Sequence, residues 1–473
     1  MRLLSRISII SSIVFAVSMN AMAGNHNVDK PTVKVGLLSV YYDAVDNNSD
    51  LAAAKAQYEV KQEVVPQAKA GLLPQISGSA DYKNTRTALD QPPNTMRRNS
   101  YEYGVSLTQP IFRVDRWFQL QAAYATDEQA KLNLAVTEQQ LILQTAQVYF
   151  SILQAQDDLA ATKAEEKAYK RQADEALERF KLGLADKTNY LQAQSAYDMS
   201  RSSRVTAEKS VQDAFQALTT LTDRHYDAVK GIQHTLPITA PIPNNAQAWV
   251  DKAIEQNISL KAGFYGVTAA EETVKQRKSG HAPTVDFVAS YKRGDNDAFN
   301  FTNTATTAAR YGANVSQSSV GVELQVPIYS GGMTSSQARE ARSALMMSEH
   351  EQESLRRKVV QNTTDYHRAI NADIEQIKAL RETIISSLSA VDATKIGFQA
   401  GTNDIVDVLD AQRRLYDAVR NYNDARYSYI LDVLSLKQVV GTLSPEDLQA
   451  LDKFLTASYV ADKDFLPNDI MIR

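Results

Sequence analysis

The 473-residue chain contains no cysteine, which removes several classes of structure from consideration. A disulfide, a thiolate metal site, a cysteine nucleophile and a thioether-linked lipid anchor are all excluded. Beyond residue 23, no apolar run approaches the roughly 20 residues that a membrane-spanning helix requires. The stretch from Arg113 to about Leu182 has neither glycine nor proline. That absence predicts one long, uninterrupted helix there.

Charge and histidine content argue against two further classes of function. The formal net charge is −4, and this mild acidity argues against a nucleic-acid partner. The six histidines are scattered without metal-binding spacing. A GxSxG motif and a P-loop are missing, and Gly331-Gly332 lacks the lysine of a phosphate cradle. We therefore expect no enzymatic activity, no metal site and no cofactor.

The first 23 residues have the pattern of an export signal. Arg2 and Arg6 supply a positive region, residues 7–17 are short and mostly apolar, and residues 21–23 form a small-x-small cleavage site. The apolar stretch is too short for a transmembrane anchor. We predict that residues 1–23 are removed and that the mature chain is exported.

The rest of the chain contains two related segments, about 210 residues apart. Matching positions include Lys69 and Lys278, Gly71 and Gly280, Pro74 and Pro283, Tyr82 and Tyr291, Pro110 and Pro327, Phe180 and Phe398, and Gly183 and Gly401. Glycine and proline determine where helices stop and strands start, so their recurrence predicts a repeated backbone. We expect a first repeat at 24–230, a linker at 231–245, a second repeat at 246–441 and a C-terminal tail at 442–473.

Each repeat is predicted to contain a helix, two strands, a long helix and a further helix. The expected ranges in the first repeat are a helix at 37–71, strands at 75–87 and about 100–110 with a polar loop at 91–94 between them, and helices at 113–182 and 187–221. The second repeat is expected to have a helix at 246–279, strands at 284–292 and 319–326 with a loop at 294–314, and helices at 334–396 and from the break at Gly401 to 440. A short helix in the tail is expected to begin at Ser444-Pro445.

The four predicted strands have the composition of a barrel wall in a membrane. Each alternates apolar or aromatic residues with polar ones over about 9–12 residues, enough for a tilted strand to cross a bilayer. Tyr82, Tyr101, Tyr103 and Tyr291 suit the membrane interface. Four strands cannot close a barrel, and an open edge is not tolerated in lipid. Several copies must then share one barrel, unless these strands form soluble hairpins.

The helix lengths predict an elongated bundle. The helix predicted at 113–182 would be roughly 105 Å long, and the two shorter helices of that repeat would each reach roughly 52 Å. Two short helices stacked end to end therefore match one long helix. A coiled-coil seam is expected at Val408, Leu415, Val419, Tyr422 and Tyr429. An ordinary long coiled coil fits this seam equally well.

The ordered set of motifs resembles the TolC family of bacterial outer-membrane efflux and type I secretion channels, from about Val40 to Phe454. The segments that carry the resemblance are Leu72-Leu73-Pro74-Gln75, Pro110-Ile111-Phe112, 327–332, 179–184, Ala400-Gly401-Thr402, 406–412 and Gly441-Thr442-Leu443.

The resemblance implies a mainly α-helical fold with membrane β-structure. Three chains, with four strands each, would form a 12-stranded β-barrel in the outer membrane. That barrel would continue into a long periplasmic α-helical barrel, with the linker and tail as an equatorial belt. The implied partners are two further copies of the chain, a periplasmic adaptor (membrane fusion) protein, an inner-membrane ABC exporter or proton-driven pump, and outer-membrane lipid.

The resemblance also implies roles for residues near the helix tips. Asp407 and Asp410 match carboxylates at the closed end of the family's tunnel, and their spacing puts them on one helix face. Threefold symmetry would make them two rings that attract cations. Two solvated surface acids are the simpler interpretation of these residues alone.

Members of the best-known type in this family close the tip with a latch of tyrosine, arginine and aspartate. The matching positions here are Phe398, Asn403 and Asn189, beside Thr188, so this chain cannot form a charge-assisted latch. We expect packing and asparagine hydrogen bonds to hold the tip closed. The implied adaptor-contacting residues are Leu182, Gly183, Leu184, Ala400, Gly401 and Thr402.

Two questions of function stay open at this point. An exported coiled-coil adhesin or scaffold without a channel is the alternative to an export channel, although it would not need alternating aromatic strands in both repeats. Among channels, multidrug efflux and one-step protein secretion compete. The long tail and the lack of a cysteine after the signal resemble secretion-type members more closely.

Overall fold

The computed structural model describes residues 34–91, 93–295, 314–467 and 470. The predicted signal at 1–23 and most of the loop expected at 294–314 lie outside these residues. The helices are α1 Leu37–Asn47, α2 Ser49–Gln62, α3 Val64–Ala70, α4 Val114–Lys181, α5 Lys187–Thr222, α6 Ala246–Gln256, α7 Ile258–Lys278, α8 Met333–Gln399, α9 Ile405–Val440, α10 Pro445–Asp452 and α11 Ala461–Asp464. The strands are β1 Gln75–Asp90, β2 Pro93–Phe112, β3 Gly231–Ile232, β4 Thr284–Asp295, β5 Asn314–Gln325 and β6 Leu455–Thr456.

Two very long helices dominate the molecule, as predicted. Helix α4 has 68 residues and α8 has 67, while α5 and α9 have 36 residues each. At about 1.5 Å per residue, each long helix spans roughly 100 Å. The seam predicted on α9 is buried at all five positions, Val408, Leu415, Val419, Tyr422 and Tyr429. No helix in the described ranges is long and apolar enough to cross a bilayer.

The helices predicted at 37–71 and 246–279 are interrupted, and this part of the prediction was wrong. In the first repeat, α1 ends before Asn48, whose Oδ1 atom accepts a hydrogen bond from the Leu51 N–H (2.9 Å). In the second repeat, α6 ends before Asn257, whose Oδ1 atom accepts from the Leu260 N–H (2.8 Å). Each asparagine caps a new helix, because its side chain satisfies an otherwise unpaired N–H group.

The four longer strands form one antiparallel sheet in the order β1-β2-β4-β5. Strand β1 has 16 residues and β2 has 20, so both exceed the predicted length. Their pairing continues to Asp90 opposite Pro93, which shortens the loop predicted at 91–94. The residues at the far end of this hairpin are mostly polar and do not alternate with apolar ones. The sequence pattern therefore predicted strands that are too short. Strands β1 and β5 are the two edges of the sheet.

The two faces of this sheet differ in chemistry. On the polar face, Ser77, Ser106, Ser290 and Ser319 form one row across all four strands. Their hydroxyls pair at 2.7 Å between the first two serines and at 2.8 Å between the last two. The opposite, apolar face exposes large side chains, which are Ile76, Tyr82, Tyr101, Tyr103, Val105, Tyr291, Val320, Val322 and Leu324. This alternation is typical of a wall between lipid and water.

A second, two-stranded sheet joins the linker to the C-terminal tail. Gly231 and Ile232 of β3 pair with Thr456 and Leu455 of β6. The ring of Tyr459 lies against Gly231, where an added Cβ atom would come within 2.1 Å of the ring. Only glycine allows this approach. No local sequence pattern indicated this pairing, although the tail helix predicted at Ser444-Pro445 is present as α10.

Candidate functional site

The ends of the long helices form two similar turns, one between α4 and α5 and one between α8 and α9. Gly183 follows α4 with a φ of 70°, and Gly401 follows α8 with a φ of 76°. Beyond each glycine, a backbone N–H group reaches back over five residues: Leu184 donates to the Arg179 carbonyl and Thr402 to the Gly397 carbonyl, both at 2.8 Å. These are glycine-terminated helix C-caps, in which the positive φ requires glycine.

The predicted adaptor-contacting residues lie on these turns. Leu182 and Leu184 are about 70% exposed, and Ala400, Gly401 and Thr402 are exposed too. Within the described part of the chain, no atom lies within 4 Å of a Cβ atom added to Gly183 or Gly401. The two glycines therefore serve the backbone turn, and the single chain shows no close approach of backbones at these positions.

Asp407 and Asp410 lie in the first turns of α9 and line one open groove between α8 and α9, together with Glu382, Asn403 and Arg414. The Oδ2 atom of Asp407 accepts hydrogen bonds from the Asp404 N–H (3.1 Å) and the Asn403 amide (3.3 Å). Asp407 therefore caps the start of its own helix.

Asp410 has a different partner from Asp407. Its carboxylate forms an ion pair with Arg413 at 3.2 Å, and its side chain is 45% exposed. The spacing predicted that the two aspartates share one helix face. Both line this groove, where basic residues adjoin them. Glu382, Arg413 and Arg414 were not predicted from the sequence.

Of the four residues at the latch positions, only Phe398 is buried, and the other three are exposed or partly exposed. Thr188 is exposed near the start of α5, and the Asn189 N–H donates to the Asp186 carbonyl (3.2 Å). Asn403 bonds to Asp407, as described above. Phe398 is 7% exposed and packs in a small core with Tyr169, Ala173, Ala176, Ala193, Ile405, Val408 and Leu409.

The tip contains a contact that sequence reasoning missed. The guanidinium carbon of Arg179, near the end of α4, lies 4.7 Å from the centre of the Phe398 ring. A cation over an aromatic face is attracted by the ring quadrupole. Arg179 and Phe398 are about 220 residues apart in sequence, and no local pattern indicated their contact. This contact connects the end of α4 with the end of α8.

A buried carboxylate lies farther along the bundle. Asp157 of α4 is 1% exposed and accepts hydrogen bonds from the hydroxyls of Tyr427 (2.7 Å) on α9 and Tyr459 (2.6 Å) in the tail. Burial raises the pKa of Asp157 to about 6, although both tyrosines and Arg426 oppose the shift. Asp157 therefore connects three separate segments through one side chain.

In the described ranges, no group of histidine, aspartate and glutamate side chains is arranged to hold a metal ion. The groove between α8 and α9 is an open cleft lined mostly by charged and hydroxyl side chains. The described residues combine long helices, an exposed sheet face and open grooves near the helix ends.

The family of the chain follows from sequence comparison. The model of the family described as "Outer membrane efflux protein" matches residues 40–224 and 249–442. The chain belongs to this family.

Individual relatives and solved structures agree with the family match. The outer membrane protein TolC of Vibrio cholerae is 35% identical over 412 residues, which cover 87% of this chain and 92% of that protein. The alkaline protease secretion protein AprF of Pseudomonas aeruginosa is 24% identical, with 88% and 86% covered. The crystal structure of CusC has the same fold, with a TM-score of 0.74 at 15% identity, covering 89% of this chain and 95% of that one.

These matches confirm the resemblance that the sequence motifs indicated. The chain is an outer-membrane channel of the efflux and type I secretion class. The alternative of an adhesin without a channel has no support among the relatives. Those relatives are channel proteins and not enzymes.

Proposed function

We propose that three copies of this chain form one export conduit through the outer membrane and the periplasm. The single observation that carries this proposal is the four-stranded sheet, which has an exposed apolar face and two edge strands. Each unpaired backbone group in lipid costs several kcal/mol, so β1 and β5 need partners. Pairing β1 of one copy with β5 of the next closes a ring, and three copies supply 12 strands.

The helices give this conduit its length. Helices α4 and α8 span roughly 100 Å each, which suits a tunnel that continues the barrel across the periplasm. The repeats at 24–230 and 246–441 would then alternate around the wall. The linker at 231–245 and the tail at 442–473 would form an equatorial belt, and the pairing of β3 with β6 supports this arrangement.

The helix tips are proposed as the gate. Threefold repetition of Asp407 and Asp410 would produce two rings of carboxylates at the narrow end, where cations would concentrate. Thr188, Asn189, Phe398 and Asn403 would replace the charged latch by packing and neutral hydrogen bonds. Opening would then require less energy than it does in a channel with a salt-bridged tip.

The exposed tip residues are the proposed docking surface for a periplasmic adaptor protein. Leu182 and Leu184 are apolar and about 70% exposed, as expected of a surface that a partner covers. The inner-membrane component would be an ABC exporter or a proton-driven pump. AprF is named for protease secretion, which favours the exporter for this chain.

The ring closure can be tested with introduced cysteines, because the native chain has none. Ser77→Cys on β1 is combined in turn with Ser319→Cys or Glu323→Cys on β5, which lie on the same face. Within one chain, β1 and β5 are about 14 Å apart, too far for a disulfide, which requires Cα atoms within about 7 Å. Oxidation is expected to produce dimers and trimers on a denaturing gel.

A matched control confirms that the cysteines can oxidise. Ser77→Cys with Ser106→Cys joins neighbouring strands of one chain and is expected to give a cross-linked monomer only. The proposal is overturned if the control oxidises fully while every β1–β5 pair stays monomeric in the membrane. Measuring the ion conductance of the purified protein in planar bilayers tests directly whether it forms an open channel.

A further inference from the structure

The β1–β2 hairpin extends beyond the rest of the sheet. Among the described residues, β2 pairs with β4 only from Glu102 opposite Gly294. The pairing of β1 with β2 continues from Lys83 opposite Ser100 to Asp90 opposite Pro93. This hairpin extension is roughly 25 Å long.

The apolar face changes its chemistry in steps along this hairpin. Its successive cross-strand pairs are Ala80 with Tyr103, Tyr82 with Tyr101, Asn84 with Asn99, and Arg86 with Arg97. The side-chain amide of Asn84 donates to the Oδ1 atom of Asn99 at 2.5 Å. Along the hairpin, the tyrosine rows are therefore followed by an amide row and then by two guanidinium groups on the same face.

Two arginines directly opposite each other repel, which makes this pair unfavourable within the chain alone. Both side chains are exposed, and neither forms an ion pair with any carboxylate in the described part of the structure.

Among the described residues, the nearby acids are engaged elsewhere or distant. Glu102 forms an ion pair with Lys292 (2.8 Å) on the polar face. The carboxylate of Asp295 accepts the Tyr101 N–H (3.1 Å). Asp90 lies about 13 Å farther along the strand than Arg86. An anion from outside the chain would remove the repulsion between the two arginines.

We propose that Arg86 and Arg97 bind the phosphate groups of lipid headgroups on the membrane surface from which this hairpin emerges. The proposal rests on the barrel described under the proposed function. Tyrosine rows mark the membrane interface, and the arginine row lies about 13 Å beyond the Tyr82 row along the strand. Strand tilt reduces this to about 10 Å along the membrane normal, within reach of the headgroup layer for a long side chain. Guanidinium groups bind phosphate oxygens in a bidentate manner, and basic clusters beside a membrane select anionic lipid.

The test compares lipids retained by the purified full-length protein. The protein is exchanged into mixed micelles with equal phosphatidylglycerol and phosphatidylcholine, and native mass spectrometry counts each bound lipid. Wild type is expected to prefer phosphatidylglycerol. Arg86→Gln with Arg97→Gln is expected to weaken this preference by about fivefold for each residue lost. Lysine at both positions should restore part of it, because the charge returns without the bidentate geometry of the guanidinium group.

A matched control variant removes two positive charges from the polar face of the same hairpin extension. Lys83→Gln with Arg98→Gln is expected to keep the wild-type preference within about twofold, since these residues are on the polar face. Equal preference in wild type and the Arg86 and Arg97 variant would overturn the proposal. Loss of the preference on adding inorganic phosphate, but not chloride of equal ionic strength, would indicate a site for soluble anions and would overturn it too.

The same measurement separates this inference from the proposed function. A protein that is trimeric and retains lipid without any headgroup preference contradicts only the role of the two arginines. A protein that is monomeric and retains no lipid contradicts the barrel itself.

Discussion

At the scale of single residues, buried and partly buried polar side chains determine how distant segments are joined. Asp157 is the clearest case, because one carboxylate receives hydroxyl groups from α9 and from the tail. The ionised carboxylate is buried and no longer hydrated, and its two hydrogen bonds compensate only in part for the lost hydration. The cost of ionisation should therefore be measurable as a dependence of stability on pH.

Asp157 is expected to lower the stability of the folded protein as the pH rises. Its pKa is about 6 in the folded state, against 3.8 for the ordinary value taken for the unfolded chain. The folded state therefore binds the proton more tightly than the unfolded chain does. The stability that this gives is fully present below the pKa of the unfolded chain and is lost as the pH rises through 6. The full difference is about 3 kcal/mol. Unfolding midpoints between about pH 4 and pH 8 should decline less for Asp157→Asn than for wild type.

Subtracting the two pH profiles isolates Asp157 from other acids. Burial and the neighbouring Asp432 also raise the pKa of Asp373 to about 6, but this group titrates equally in both proteins. Parallel wild-type and variant profiles would show that Asp157 does not titrate in this range.

The tip offers a second test at the residue scale. Phe398→Tyr, Asn403→Arg and Asn189→Asp together would install the tyrosine, arginine and aspartate that this chain lacks. Hydrogen bonds to charged groups contribute about 1.5–3 kcal/mol, so closed-state leak in planar bilayers is expected to fall by about tenfold or more. Asn403→Arg alone is the control, because it adds a cation without the new anion. An unchanged leak in the triple variant would contradict the latch hypothesis.

At the scale of secondary-structure elements, two asparagines repeat one device in both halves of the chain. Asn48 caps α2 and also donates its amide to the Leu221 carbonyl near the end of α5 (3.2 Å). Asn257 caps α7 and donates to the Val439 carbonyl near the end of α9 (2.6 Å). Each asparagine therefore caps the start of one helix and donates to a carbonyl near the end of another. Without the asparagine, that N–H group and that carbonyl would both lack a partner.

Replacing either asparagine should destabilise the protein by a similar amount. Asn48→Ala or Asn257→Ala loses a helix cap, worth about 1 kcal/mol, and leaves a carbonyl unpaired at a further cost of about 1 kcal/mol. Denaturant unfolding measures the change. Asn47→Ala is the matched control, since this neighbour is exposed and should change stability by less than about 0.5 kcal/mol. Equal effects of Asn47→Ala and Asn48→Ala would contradict this role.

The same elements show how far sequence reasoning extends. The bounds of α4 were predicted within one residue, since glycine and proline are missing inside it and Gly183 ends it. The interruptions at Asn48 and Asn257 were missed, because an asparagine in an alanine-rich run is not a strong helix breaker. Both begin an Asn-x-x-Leu segment at matching positions of the repeat, a signal that could have identified them.

Contacts between distant elements could not be predicted from local patterns. The pairing of β2 with β4 and of β3 with β6, and the contact of Arg179 with Phe398, depend on how the whole chain folds. At the tips, the sequence predicted that Asp407 and Asp410 share a face. It did not predict the neighbouring Arg413, because ion pairing depends on side-chain conformation as well as spacing.

At the scale of the whole molecule, the C-terminal tail holds the middle of the bundle together. Besides β6, it supplies the Phe465 carbonyl, which accepts the amide of the buried Asn423 (2.9 Å), and the Asp464 carbonyl, which lies 2.7 Å from Nε2 of His234. The tail therefore contacts the linker, α4 and α9. Its removal would expose apolar surface and leave polar groups unpaired.

If the chain forms the proposed trimer, truncation after Asp452 is expected to reduce severely the amount of heat-resistant oligomer in the membrane. Strand β3 would lose its partner, and Asp157 would lose the Tyr459 hydroxyl. Gel migration before and after heating provides the measurement. Truncation after Ile470 is the control and retains all the tail contacts named here. Normal oligomer in the shorter protein would contradict the structural role of the tail.

The two unpaired edges of the four-stranded sheet have a genetic consequence. If strands β1 and β5 are satisfied only by other copies, then a defect on one edge damages every ring that contains it. Random mixing of equal amounts of normal and defective subunits would leave about one intact ring in eight for a threefold assembly. A cell carrying both alleles would then lose far more than half of its export capacity, and inheritance of such a defect would be dominant.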